Sequence, residues 1–327
     1  MGRLISDKFD EWQKECEERF QKLKSNEEEL NRIFIEIYGL QDELTPDVAD
    51  KDITVNRIFR TKEDVPDSMK TEKGTPTNYV RLLSDEIKSL ISYSVGCMFG
   101  RYSLDVEGLA YAGGDWDPSK YVKYVPDADN IIIITDEEYV QDDDIMNRFV
   151  EFVRVVYGED TLEQNLKFVA DALGGKGTSR DVIRNYFLKD FYKDHVKTYK
   201  KRPIYWLFDS GKANGFKALI YLHRYNQDTI GKLRIDCLHR IQRIYENEMI
   251  RMRDTIEHSG DSREVTLAQK RLEKLTKQLK ESKEFDEKIA HLALARIHLD
   301  LDDGVKVNYE KVQTGTDGKK YAVLGKI

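Results

Sequence analysis

From Ile230 to Leu292 apolar residues return every third or fourth position, and the pattern breaks at His258-Ser259-Gly260-Asp261. Ile230, Leu233, Cys237, Ile241 and Ile244 lie before the break; Val265, Ala268, Leu272, Leu275, Leu279, Ile289 and Leu292 lie after it. That period belongs to helices with one apolar stripe, and the short polar link makes an antiparallel helical hairpin the expected fold. Two helices of about 30 residues reach on the order of 45 Å.

Composition agrees with helix. Of 327 residues, 35% are charged and 40% hydrophobic, with only six prolines, and the mean hydropathy is −0.63. Long solvated helices suit this balance better than a sheet covered on both faces. The 18 tyrosines, 13 phenylalanines and three tryptophans exclude a wholly disordered chain. Cys16, Cys97 and Cys237 are few and far apart, which argues against a disulfide framework or a zinc site and points to the cytoplasm. The longest aliphatic run, Ile131 to Ile134, is too short to cross a membrane.

The same reading divides the chain into five parts. Residues 1–59 are a helical segment (Ser6 to about Tyr38, ended by Gly39) with a short strand at Ile53 to Phe59; residues 60–78 are a Pro/Gly/Thr-rich linker. Residues 79–225 form a compact mixed domain, with helices at Tyr79–Phe99, Glu137–Tyr157 and Thr161–Leu173, a short strand at Ile131–Ile134, and a basic helix opening at Thr178 or Ser179. In it, Ile204–Phe208 and Phe216–Leu222, joined by SGKANG, form an aromatic β-hairpin, with Tyr205 and Trp206 assigned to the core. Residues 226–300 are the helical hairpin, and 301–327 a tail with a strand at DLDDGVKVNYEK. The fold class is α+β, predominantly α-helical.

Charge singles out one stretch. Between Lys176 and Arg202 stand nine basic residues, Lys176, Arg180, Arg184, Lys189, Lys193, Lys197, Lys200, Lys201 and Arg202, against three acids, Asp181, Asp190 and Asp194. The whole chain carries −7. A basic island inside an acidic protein, backed by Phe187, Leu188, Phe191, Tyr192 and Tyr199, is what a phosphate-facing surface needs, and these nine are the candidate DNA-phosphate contacts. A solvated helix face gives the same pattern and stays open at this level.

Other constellations fail on spacing. Gly174 to Ser179 (GGKGTS) lacks the strand and the G-K-[ST] order of a phosphate-binding loop, and a helix C-cap followed by an N-cap accounts for it. Pro66-Asp67 with Glu86-Ile87-Lys88 loosely matches a nuclease metal site, but falls on a loop and a helix. The acids Asp136, Glu137, Glu138, Asp142, Asp143 and Asp144 lack the glycine and terminal glutamate of a calcium loop, and read as the charged start of a helix. His195, His223 and His291 show no metal-protease spacing. No catalytic, cofactor-binding or metal residue is assigned.

Five phrases carry a family resemblance: EEELNRIFIEIYGLQDELTP (Glu27 to Pro46), IKSLISYSVGCMFGRYSLDVEGLAYAGG (Ile87 to Gly114), LGGKGTSRDVIRNYFLKDFYKDH (Leu173 to His195), KRPIYWLFDSGKANGFKALIYLHRY (Lys201 to Tyr225) and LDLDDGVKVNYEK (Leu299 to Lys311). In this order they resemble the carboxy-terminal region of the adenine-specific DNA methyltransferases of BREX phage-defence systems, the PglX type, and are similar to fused type II restriction–methylation enzymes. The resemblance implies an amino-terminal catalytic domain that binds S-adenosylmethionine, flips an adenine and methylates its exocyclic amine. The Asn-Pro-Pro-aromatic motif of such domains needs adjacent prolines. Here Pro46, Pro66, Pro76, Pro118, Pro126 and Pro203 all stand apart. The expectation is therefore a non-catalytic region, inactive alone and without a cofactor of its own. It would contact double-stranded DNA, the methyltransferase region or other BREX components. The rival expectation is a protein-docking module that works through the helical hairpin without touching DNA.

Overall fold

A computed structural model describes residues 3–140 and 144–327. Their contacts divide the chain into two compact units, residues 1–91 with 156–179, and 92–155 with 180–327. This division does not follow the five parts read from the sequence. The fold is predominantly helical with two small sheets, and no helix among the described residues is long and apolar enough to cross a membrane.

In the first unit, α1 (Ile5–Tyr38) runs for 34 residues. Asn165 closes its start by accepting from the Ile5 N–H at 2.8 Å and donating to the Arg3 carbonyl at 3.0 Å. Gly39 (φ +66°) closes its end, with the Leu40 N–H returned to the Ile35 carbonyl at 2.9 Å. Beside it, β1 (Arg57–Phe59) and β2 (Val80–Leu82) pair in parallel. Phe9 and Cys16 pack with Ile58, Leu83 and Phe168, and Phe20 and Leu23 with Ile53, Val65 and Met69. The 60–78 segment thus supplies two buried side chains, Val65 and Met69, to this core. Arg57 binds this layer to α1, donating to Glu17 at 2.6 and 2.9 Å with its guanidinium over the Phe20 ring.

The next helix, α2 (Leu83–Met98), starts after β2, because Val80–Leu82, expected inside that helix, extends to pair with β1. β3 is Ile131–Ile133, and α3 (Ile145–Tyr157) begins eight residues later than the sequence pattern predicts. Asp136 and Glu137 therefore lie in irregular chain before the helix, while Asp142 and Asp143 fall outside the described residues. α4 is Leu162–Leu173. Then come α5 (Ser179–Lys189), α6 (Phe191–Thr198), β4 (Tyr205–Asp209) and β5 (Lys217–Tyr221).

The second unit is built on the antiparallel sheet β3-β5-β4, in which Trp206 faces Ile220 in register and Ile131 joins from the other side. After α7 (Thr229–Lys232) and a π-helical turn at Leu233–Leu238 come α8 (His239–His258) and α9 (Ser262–Ala295), the expected antiparallel pair. The pair packs onto the sheet. Leu275, Phe285, Ile289 and Leu292 of α9 share one core with Trp206, Phe208, Phe216 and Tyr245. Polar contacts fix the register. Glu281 of α9 accepts from the Ser210 hydroxyl and from the Ala213 and Gly215 amides at 2.8–2.9 Å, closing the β4–β5 loop. Gly215 is required there, because a Cβ would lie 2.4 Å from the Gln278 carbonyl oxygen. Lys274 reaches Asp136 and Glu137 at 2.8 and 2.7 Å, so these acids find their cations on α9 and not at a helix start.

The tail departs from expectation. VKVNYEK alternates like a strand but forms α10 (Val305–Lys311). Buried Asn308 donates back to the Asp300 carbonyl, and half-buried Val305 and Tyr309 pack on the core. Extended backbone comes later: the Asp209 N–H donates to the Val323 carbonyl (2.9 Å) and the Gly325 N–H to the Leu207 carbonyl (2.7 Å), against the outer side of β4.

Candidate nucleic-acid interface

The basic island begins in the first unit with Lys176, exposed in a loop where Gly174, Gly175 and Gly177 all have positive φ. Gly174 closes α4, its N–H bonded to the Ala170 carbonyl at 3.0 Å. The remaining candidates lie in the second unit.

On α5, Arg180 and Lys189 are exposed, but Arg184 is not. It is 9% exposed and pairs at 2.8 Å with Asp144, which is fully buried. Arg184 also donates to the Thr135 hydroxyl at 3.0 Å, and the other Asp144 oxygen accepts the Met146 N–H at 2.8 Å at the start of α3. Arg184 is thus a clamp between α5, α3 and the end of β3, and does not belong to a phosphate-facing row. The signal was in the sequence: Phe187 and Leu188 follow it at i+3 and i+4, on the inward face.

The single helix expected from Arg180 onward is broken at Asp190 (φ −124°). Its hydrogen-bond ladder carries on through the break: the Asp190 N–H bonds the Tyr186 carbonyl, and the Asp194 N–H bonds the Asp190 carbonyl, each at 2.9 Å. Phe187, Phe191 and Tyr192 are buried behind it, while Lys189, Lys193 and Lys197 are exposed. Lys193 pairs with Asp190 at 3.1 Å across exposed surface, a contact that contributes little.

After α6 the chain turns sharply. Lys200 (φ +49°) and Lys201 (φ +62°) both adopt left-handed backbone, and the Lys201 N–H bonds the Val196 carbonyl at 2.9 Å. For a residue with a Cβ this costs about 1–2 kcal/mol each, which is why glycine or asparagine is usual. Lys200, Lys201 and Arg202 are exposed on this turn. No carboxylate among the described residues pairs with Lys189, Lys197, Lys200, Lys201 or Arg202.

His195 anchors the turn from within. Its Nε2 accepts from the Ile204 and Tyr205 amides at 3.2 and 3.1 Å, which requires the neutral ring. Burial, then the nearby Arg101 charge, push its pKa down to about 3. Spacing gave no sign of this role, since the bond partners are main-chain groups. Tyr205 and Trp206 are 2% and 0% exposed, core residues and not base-stacking platforms.

Among the described residues, no group of three or more His, Cys, Asp or Glu is placed to hold a metal ion. Asp67 sits at 97% side-chain exposure in a short turn. Glu86 lies on α2, held by Arg81 and by the Trp12 indole at 3.1 Å. What the basic segment offers chemically is a run of exposed cations on a buried apolar back, suited to phosphate oxygens.

No family model matches the chain. It is 48% identical over 311 residues to the adenine-specific methyltransferase PglX of Lacticaseibacillus casei (strain Zhang), a match covering 94% of this chain and 24% of that protein. It is 38% identical over 306 residues to the adenine-specific methyltransferase BrxX of Escherichia coli O9:H4 (strain HS), covering 89% of this chain and 25% of the relative. The chain spans about a quarter of the length of the curated relatives it matches. Nearly all of it is therefore a region of the PglX-type adenine-specific methyltransferases, the family whose phrases its sequence carries.

Proposed function

We propose that this chain is a non-catalytic, DNA-contacting region of a BREX-type, S-adenosylmethionine-dependent adenine methyltransferase that acts in phage defence. The observation that carries the reading is the run of exposed cations from Lys189 to Arg202, five of them without a carboxylate partner among the described residues. Lys189, Lys193 and Lys197 neutralise phosphates from the α5–α6 face, and Lys200, Lys201 and Arg202 from the turn. Sequence reading and methyl transfer belong to the rest of the enzyme, with S-adenosylmethionine bound there. The strained turn supports this, because backbone strain held in place by buried hydrogen bonds is found at sites that present side chains for a purpose. Docking through the α8–α9 hairpin finds less support, since Leu275, Phe285, Ile289 and Leu292 of its apolar seam are buried within its own unit.

The test is duplex-DNA binding by fluorescence anisotropy at two salt concentrations, for the wild type and for Lys189, Lys193 and Lys197 changed together to Glu. Wild-type affinity is expected to fall as salt rises, with a slope of about −0.9 per phosphate contact. The triple variant is expected to bind at least tenfold more weakly with a shallower slope. Binding that is absent at low salt, or unchanged in the variant, overturns the proposal.

A further inference from the structure

The apolar face of α1 does not stop where its cover stops. Phe9, Cys16, Phe20 and Leu23 lie on one side of the helix and pack against their own unit. At 3.6 residues per turn, Leu30, Ile33, Phe34, Ile37 and Tyr38 continue that side as a stripe roughly 140° wide and about 12 Å long. These five are 54, 42, 54, 68 and 71% exposed. Single exposed apolar residues are ordinary, but five contiguous ones at i, i+3, i+4, i+7 and i+8 are the signature of a helix face made to be covered.

The rim says by what. Glu29 and Glu36 lie along one edge of the stripe, Glu27 precedes it on the same side of the helix, and Asp42 and Glu43 follow it. The one cation between residues 27 and 38, Arg32, is already paired with Glu29. A second copy seated face to face through the same stripe would bring two acidic rims together, which opposes that pairing. Meanwhile the relatives carry about three quarters of their length outside the matched region. We infer that the Leu30–Tyr38 face of α1 is the seat of an apolar, basic-flanked segment from the remaining part of the methyltransferase polypeptide. The inference rests on the family relationship and stands apart from DNA contact, so the failure of either leaves the other intact.

The test is maleimide labelling of Ile37→Cys, read by peptide mass spectrometry. It is run on the chain alone and on the full-length methyltransferase in which this chain takes the matched position. Labelling is expected to be at least tenfold slower in the full-length protein, and Ile33→Glu in that protein is expected to restore the fast rate. Equal rates in the two overturn the inference. Protection already present in the chain alone, and rising with its concentration, makes a second copy the occupant and also overturns it. A second measurement needs no joined protein. In the full-length Lacticaseibacillus casei relative, amide exchange across the segment matched to Leu30–Tyr38 is expected to be as slow as across that matched to Phe9–Leu23. Exchange tenfold faster there overturns the inference independently.

Discussion

Helices α1 and α9 are both 34 residues long, and both carry an apolar stripe at helical spacing. Along α9 the stripe is buried from Ala268 to Leu292, against α8 and the sheet. Along α1 it is buried at Phe9, Cys16 and Phe20, with Leu23 partly buried and Trp12 36% exposed, and from Leu30 to Tyr38 it lies open, with only Ile35, on another side of the helix, buried beyond Leu23. Periodicity therefore announces a helix and the width of the face it must hide, but not whether the cover lies in the same unit. Length makes the point sharper. Neither helix is held by propensity alone, since most helical stability in proteins comes from packing an amphipathic face.

Four measurements would break or sharpen this contrast. The largest effect is expected at Phe285, fully buried on α9 against Phe216: Phe285→Ala should cost about 3–5 kcal/mol in urea unfolding. Arg184→Ala should cost a similar amount, about 3–5 kcal/mol, because it strands the buried Asp144 carboxylate. Equal effects for Lys193→Ala would show that the buried pair is no different from the exposed ones. Gly215→Ala, where a Cβ meets the α9 backbone, should cost about 1–3 kcal/mol by the same assay. Phe34→Ala on the open end of α1 should change the stability of the isolated chain by less than about 0.5 kcal/mol. A loss of the size seen at Phe285 would mean that the stripe is already covered.

Acid adds a test of the turn. His195 has a folded pKa of about 3, below the usual value of 6.5. Its contribution is thus fully present above pH 6.5 and is lost as pH falls from there toward 3. Stability measured between pH 7 and 5 should decline as the unfolded chain takes up a proton that the folded ring refuses, with partly buried His223 shifted in the same direction. His195→Gln, which keeps an acceptor for the two amides, should flatten that slope.

Much of this architecture was legible in the sequence for a physical reason. The helical hairpin and the aromatic β-hairpin are local, each pairing segments joined by a short link, so periodicity and turn residues suffice. The third strand was visible as Ile131 to Ile134, but its place beside β5 depends on contacts 80 or more residues away, which no local pattern encodes. VKVNYEK misled because a seven-residue segment satisfies both periods, and the choice fell to Asn308 and Tyr309 finding buried partners. The basic island was legible as charge and not as geometry. Arg184 looked like its neighbours until Asp144 appeared beneath it, and nothing in Lys200-Lys201 signals left-handed backbone, which glycine or asparagine would have done.

The segment Val323–Gly325 lies along the outer side of β4, where the Asp209 and Leu207 main-chain groups would otherwise be unpaired. An open strand edge of this kind templates the addition of another strand, and with Tyr205 to Phe208 behind it the product would be a sticky, self-extending sheet. Removing residues 322–327 is therefore a solubility hazard as much as a loss of stability. The damage would show first in crowded, freshly made protein, where naked edges find one another before they find water.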